Sequence, residues 1–308
     1  MIKMQEFQRL RTELAGLNLR NPTILASGIL GISAETLKEA ARAGAGAVTT
    51  KSVGLKPREG YANPTVVQVE CGFLNALGLP NPGIDEFAEE IKKSNLNVPM
   101  IVSIYGFSPE EYAKVAVKAI EAGADAVELN LSCPHVEDIG AEIGQDPEKV
   151  ASVVKKVKAS VEKPVFAKLT PNVAKIKGLA EAAASAGADG ITAINTVRAM
   201  AIDVETMKPI LANRIGGLSG GTIKPIAVRC IYEIYEAVNI PIIGCGGVRT
   251  WSDAVELILA GASAVQIGSA VAFKDLSIFK AIAQGLNSYL ERKGYRNVEE
   301  IVGLAHEA

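Results

Sequence analysis

The residues in this sequence best suited to chemistry stand where short apolar runs give way to polar ones. Lys51 closes AVTTKS, Asn130 and Cys133 follow AVEL, Lys168 closes VFAK, and Asn195 with Thr196 closes GITAINT. Ser27 and Ser103 close two further runs, while Gly246 with Gly247 follows IIGC and Gly268 with Ser269 follows AVQI. Glycine lets anionic oxygens approach backbone N–H groups, so the two glycine elements suit a phosphate. Ammonium groups such as Lys51 and Lys168 stabilise negative charge on a bound group. Free cysteine is often only a small buried hydrophobe, a role that suits Cys71 and Cys230; Cys245 lies beside a glycine pair with no reaction to perform.

A weak repeat supplies the elements that must position these groups. Ala-Gly-Ala occurs at 43–45, 122–124, 186–188 and 260–262, each time after a helix-like stretch and before a short run rich in β-branched residues. Glycine there ends a helix in the left-handed conformation, and the run that follows favours a strand. Between these units lie four runs opened by Pro22, Pro99, Pro164 and Pro241. Proline fits the start of a strand, where a missing ladder donor costs little. Interleaving the two sets gives eight strands, separated by helical patterns that include 110–121, 147–161, 176–186 and 251–260. Strands joined through helices run parallel, and eight such units predict an α/β fold, a TIM (β/α)8 barrel, as a single domain over 1–308. An open doubly wound sheet also alternates strands and helices, but eight near-regular units favour closure. Two stretches, 53–82 and 197–224, exceed ordinary loop length and sit after strands, where barrels carry functional insertions.

In such a barrel all the strand-end residues share one mouth. The glycine elements follow strands seven and eight, the usual place for phosphate, so the ligand is a phosphorylated cofactor or substrate. Two lysines beside it suit an electron-rich ring such as a reduced flavin, whose N1/C2-carbonyl edge carries negative charge.

The motifs TTKS at 49–52, NALGLPNPG at 75–83, ELNLSCP at 128–134, AKLTPN at 167–172, INT at 194–196, GGLSG at 216–220, IIGCGGV at 242–248 and IGSA at 267–270 together resemble dihydroorotate dehydrogenase, in order and over nearly the whole chain. Cysteine in NLSCP is similar to the soluble branch, and KPILANRIGGLSGGTIKPIAV resembles the NAD-linked type B catalytic subunit. The resemblance implies FMN, lined by Ser27, Lys51, Ser52, Ser103, Asn130, Lys168, Ile194, Gly220, Gly246, Gly247, Gly268 and Ser269. It implies a substrate pocket of Lys51, Asn75, Ala76, Leu77, Gly78, Leu79, Asn130, Asn195 and Thr196, and a catalytic set of Cys133, Lys51 and Lys168. By the same resemblance, hydride passes from substrate C6 to flavin N5 and the C5 proton to Cys133, on a loop over 133–144 that closes on the substrate. Type B further implies a homodimer and a partner subunit carrying FAD and an iron–sulfur cluster. His135 and Ser103 stand where asparagine is usual; a histidine still donates a hydrogen bond, with a charge that varies with pH.

The remaining composition narrows the class. The chain has 308 residues, a formal net charge of −2 with mixed signs, and 48% hydrophobic residues, which suit a large buried core and give no sign of nucleic-acid binding. The stretch 1–14 lacks a signal-peptide core or a membrane span, so a cytoplasmic protein is expected. Four widely spaced cysteines form no metal, cluster or disulfide pattern. Open alternatives are a fumarate-linked dehydrogenase without a partner, a flavin reductase acting on another pyrimidine, a flavin-free barrel aldolase or isomerase using Lys168, and a barrel kept as a scaffold. A flavin spectrum separates the first two from the aldolase or isomerase, and the complete lysine, asparagine and cysteine set argues against the scaffold.

Overall fold

The structure, a computed structural model, describes residues 7–70, 72–131 and 143–307. Cys71, Cys133, His135 and most of the loop expected to close over the substrate lie outside the described residues.

Eight parallel strands close into a barrel in the order in which they occur along the chain. They are Thr23–Leu25, Ala47–Thr49, Met100–Ile104, Ala126–Asn130, Val165–Leu169, Gly190–Ala193, Ile242–Cys245 and Ala264–Ile267. Each of the four prolines immediately precedes a strand and serves as an acceptor. Pro22 O takes the Val265 amide at 2.8 Å, and Pro99, Pro164 and Pro241 take those of Val48, Val127 and Ile191, each at 3.0 Å. Proline thus joins the ladder through its carbonyl while its missing donor falls outside it.

The Ala-Gly-Ala repeat works as a helix terminator four times over. At the first, Gly44 has φ +117°, its amide bonds Ala41 O, and the Ala45 amide bonds Ala40 O at 3.2 Å. Those two bonds cap the last helical carbonyls in a Schellman motif and turn the chain into the next strand. Helices Pro109–Glu121, Pro147–Lys158, Ile176–Ser185 and Trp251–Leu259 occupy the expected stretches. The second ends three residues earlier than its apolar pattern, because Ala159 already serves as its cap and Val161 packs into the core from outside the helix.

Two features are additional to the repeat. A hairpin of Thr12–Leu14 with Leu17–Leu19 packs Leu14, Leu17 and Leu19 against Ile24, Ala47, Ile101, Ala126, Phe166, Ile243 and Ala264. These lie at or near the first residues of seven barrel strands, so the hairpin plugs the end opposite the strand C-termini, and each buried leucine stabilises by about 1.5–3 kcal/mol. The second feature is a four-stranded antiparallel sheet built from both long insertions, in the order Val197–Met200, Ile215–Ser219, Gly72–Asn75, Val66–Val69. Gly217 pairs with Asn75, Leu218 with Leu74, and Ser219 with Phe73, so two segments far apart in sequence form one cover beside the barrel mouth.

Candidate functional site

A cavity of about 460 Å³ opens at the C-terminal ends of the barrel strands, beside the insertion sheet. Its size falls in the usual range for cofactor and substrate sites. Every described residue of the cofactor and substrate sets read from the sequence lines it, and Cys133 lies outside the described residues. Ser27, Lys51, Ser52, Ser103, Asn130, Lys168, Ile194, Asn195 and Thr196 come from the strand ends. Gly220, Gly246, Gly247, Gly268 and Ser269 form one end, and Asn75, Ala76, Leu77, Gly78 and Leu79 come from the inserted loop.

A row of short polar side chains crosses the site. Ser52 Oγ lies 3.4 Å from Ser27 Oγ and 2.9 Å from Ser103 Oγ, and it accepts from Asn130 Nδ2 at 3.1 Å. Asn195 Nδ2 donates to Asn130 Oδ1 at 3.3 Å, and Asn195 Oδ1 accepts the Thr196 amide at 2.8 Å. These bonds fix the rotamers of groups that also face the cavity. Ser103, fully buried in the third strand, takes part through its hydroxyl.

The inserted loop is held by its own contacts. Arg58 Nε donates to Gly78 O at 2.6 Å, the Tyr61 amide to Leu77 O at 3.0 Å, and Asn81 Nδ2 to both Leu79 O and Tyr105 Oη at 2.8 Å. Asn75 Nδ2 reaches across the sheet to Gly217 O at 3.1 Å.

At the glycine end, Gly247 has φ +78°, and a Cβ there would sit 2.6 Å from Lys224 Cβ and 2.9 Å from its backbone. Only glycine fits. Among the described residues no backbone carbonyl accepts from the Gly247 or Ser269 amide. An anionic oxygen satisfies such donors.

The two lysines differ. Burial pushes the Lys51 ammonium below the usual lysine range. For Lys168 burial acts in the same sense, but the Glu128 carboxylate and, more weakly, Cys245 outweigh it, and its proton is held more tightly than usual. Burial pushes the Cys245 thiol up, and it pushes the Cys230 thiol to about 11, which leaves both protonated near neutrality.

Several lining residues have no counterpart in the motifs: Arg58, Tyr61, Phe73 and Arg249. Phe73 stacks on Phe273 at the rim, with ring centroids 5.0 Å apart. Beneath Lys168 lie Glu128, Thr192 and Gln266, which the sequence reading passed over. For two of them a signal was present, since Glu128 and Gln266 each stand between apolar residues in a barrel strand.

Fold and site define a TIM-barrel enzyme with a cavity at its mouth lined by two lysines, a row of amides and two glycine elements. The chain belongs to the dihydroorotate dehydrogenase family: the model described as "Dihydroorotate dehydrogenase" matches residues 9–290. A relative from Pyrococcus furiosus, "Dihydroorotate dehydrogenase B (NAD(+)), catalytic subunit", is 55% identical over 96% of this chain and 98% of its own length. Proteins of the same name from Methanosarcina acetivorans and Methanocaldococcus jannaschii are each 52% identical, over 96% and 97% of this chain and 95% and 98% of theirs.

Proposed function

We propose that this chain oxidises dihydroorotate to orotate in de novo pyrimidine biosynthesis, as the FMN-binding catalytic subunit of an NAD-linked enzyme. The observation that carries this reading is the gathering of both lysines, the asparagine row, the glycine pairs and the NALGLP loop into one cavity, in a chain so similar to NAD-linked catalytic subunits.

The residues fit FMN. The Gly246-Gly247 and Gly268-Ser269 amides suit its phosphate, while Ser27, Lys51, Ser52, Ser103, Asn130, Lys168, Ile194 and Gly220 border the space for its ring. When bound, FMN takes up the hydride that leaves C6 of the substrate. The other steps fall to the protein. Cys133 removes the C5 proton, which the adjacent carbonyl acidifies. A thiol of ordinary pKa, about 8.5, is mostly protonated at neutrality, so the rate rises with pH unless the site favours thiolate. Lys168 and Lys51 present positive charge to the electron-rich side of the ring. Asn75, Asn130 and Asn195 with Thr196 offer donors and acceptors to the amide edges of the pyrimidine, and Ala76, Leu77, Gly78 and Leu79 complete the pocket.

The single barrel works as a homodimer in the cytoplasm, and a partner subunit with FAD and an iron–sulfur cluster carries the electrons onward. Among the described residues no helix is long and apolar enough to cross a membrane.

Anaerobic mixing of the purified protein with dihydroorotate tests the reaction. The flavin absorbance bleaches and orotate accumulates; protein that purifies without flavin, or flavin that stays oxidised, rejects the reading. Asn75→Ala is expected to weaken orotate binding by about 1–3 kcal/mol, roughly 5- to 150-fold, because it removes one amide from the pocket and the sheet contact to Gly217 O. Orotate titration followed by flavin absorbance measures it, and unchanged affinity removes Asn75 from the site.

A further inference from the structure

Barrel interiors are normally filled by branched apolar side chains. Here five strands contribute polar ones to the same layer: Thr49, Glu128, Lys168, Thr192 and Gln266, none more than 4% exposed. Lys168 Nζ donates to Glu128 Oε1 at 3.3 Å and to Gln266 Oε1 at 2.9 Å. Glu128 Oε2 accepts from Gln266 Nε2 at 2.6 Å and from Thr192 Oγ1 at 3.0 Å, and Gln266 Nε2 lies 3.4 Å from Thr49 Oγ1. Both carboxylate oxygens are therefore satisfied by neighbours.

A carboxylate this deep is costly unless paired and hydrogen-bonded, and stranding one by removing its partner is strongly destabilising. The network nevertheless holds one, and among the described residues the cation paired with it is Lys168. Lys168 spends two of its three donors on Glu128 and Gln266, which leaves the third for the cavity that it lines. The titratable groups facing the ammonium are Glu128 on the fourth strand and Cys245 on the seventh, with Gln266, from the eighth strand, also bonded to it.

We propose that Glu128 is a positioning residue that keeps Lys168 protonated and aimed at the ring-binding part of the cavity, with Gln266 locking the pair. Ammonium and carboxylate form a dipole whose positive end faces the ligand and whose negative end is sunk inside the barrel. The charge offered to the ring is then independent of pH across the neutral range. This rests on the flavin reading above, and the two fail separately.

The test is the midpoint potential of FMN bound to the full chain, measured against pH from roughly 6 to 9, around the range where a buried lysine titrates. In Glu128→Gln the ammonium loses its counter-ion and titrates within this window, taking up a proton as the ring gains charge. The plot steepens relative to wild type by about 30 mV per pH unit, one added proton per two electrons. In Glu128→Gln/Lys168→Met, where two neutral groups replace the pair, the added slope disappears. A single variant that runs parallel to wild type, or an added slope that persists in the double variant, overturns the proposal. If the single variant does not fold, wild type is compared with the double variant: the two plots run parallel when Lys168 stays protonated throughout, and a wild-type plot steeper by about 30 mV per pH unit overturns the proposal. Wild-type protein that lacks flavin, or is not reduced by dihydroorotate, instead defeats the flavin reading.

Discussion

Cys133→Ala is expected to keep FMN and to lose flavin reduction by dihydroorotate by about 10²–10⁴-fold, the usual worth of a positioned general base. Hydride loss from C6 without proton loss from C5 leaves a cationic ring, and among the described residues that line the cavity there is no carboxylate to stabilise it, while Lys51 and Lys168 supply positive charge. Cys133→Ser should be slow and gain with rising pH, since an alkoxide is far harder to form than a thiolate. Stopped-flow reduction under anaerobic conditions reads both variants. Near-normal reduction in the alanine variant would remove Cys133 from the mechanism. Cys230 and Cys245 cannot stand in for it, because burial keeps both thiols protonated.

The isolated chain is expected to form no NADH from dihydroorotate above the protein-free rate, although its flavin is reduced readily. The cavity at the mouth has room for one cofactor and a small substrate. The other cavity of note, at the opposite end, is lined by Thr12, Glu13, Tyr235, Ser263, Val298, Glu299 and Val302, and its two carboxylates repel the diphosphate of a dinucleotide. No Gly-x-Gly-x-x-Gly fingerprint follows a strand in the sequence. Absorbance of NADH, with the chain alone and then as purified with any bound subunit from its native cell, gives the result. Steady NAD reduction by the chain alone, or robust turnover with fumarate and no copurifying flavoprotein, would overturn the partner while leaving dihydroorotate oxidation in place.

The barrel was legible because its signals are local. Each Ala-Gly-Ala needs only its own helix end and each proline only its own strand start, so eight units can be counted without knowing what touches what. The strand-end residues were legible for the same reason, since topology alone delivers them to one mouth. What stayed hidden depends on contacts remote in sequence. Glu128 and Gln266 are 138 positions apart, and neither residue type announces the other. The insertions read as long loops because Val66–Val69 and Val197–Met200 alternate burial weakly and become strands only when paired. The N-terminal hairpin reads as charged residues alternating with apolar ones until the barrel end that it plugs is in place.

That pairing of insertions bears on how the pocket can change. Asn75 and Gly217, 142 positions apart, are locked in register, with Leu74 packed into a small core with Ala76 and Leu211. Because strand faces alternate, adding or deleting one residue just ahead of Leu74 would turn it outward and put Phe73 and Asn75 in its place, and one in the partner strand would shift Gly217 away from Asn75. The inserted loop is therefore not a module that can be grafted alone from one relative to another. Its length and its partner's length must change together, which makes the two segments a single heritable unit split across the gene.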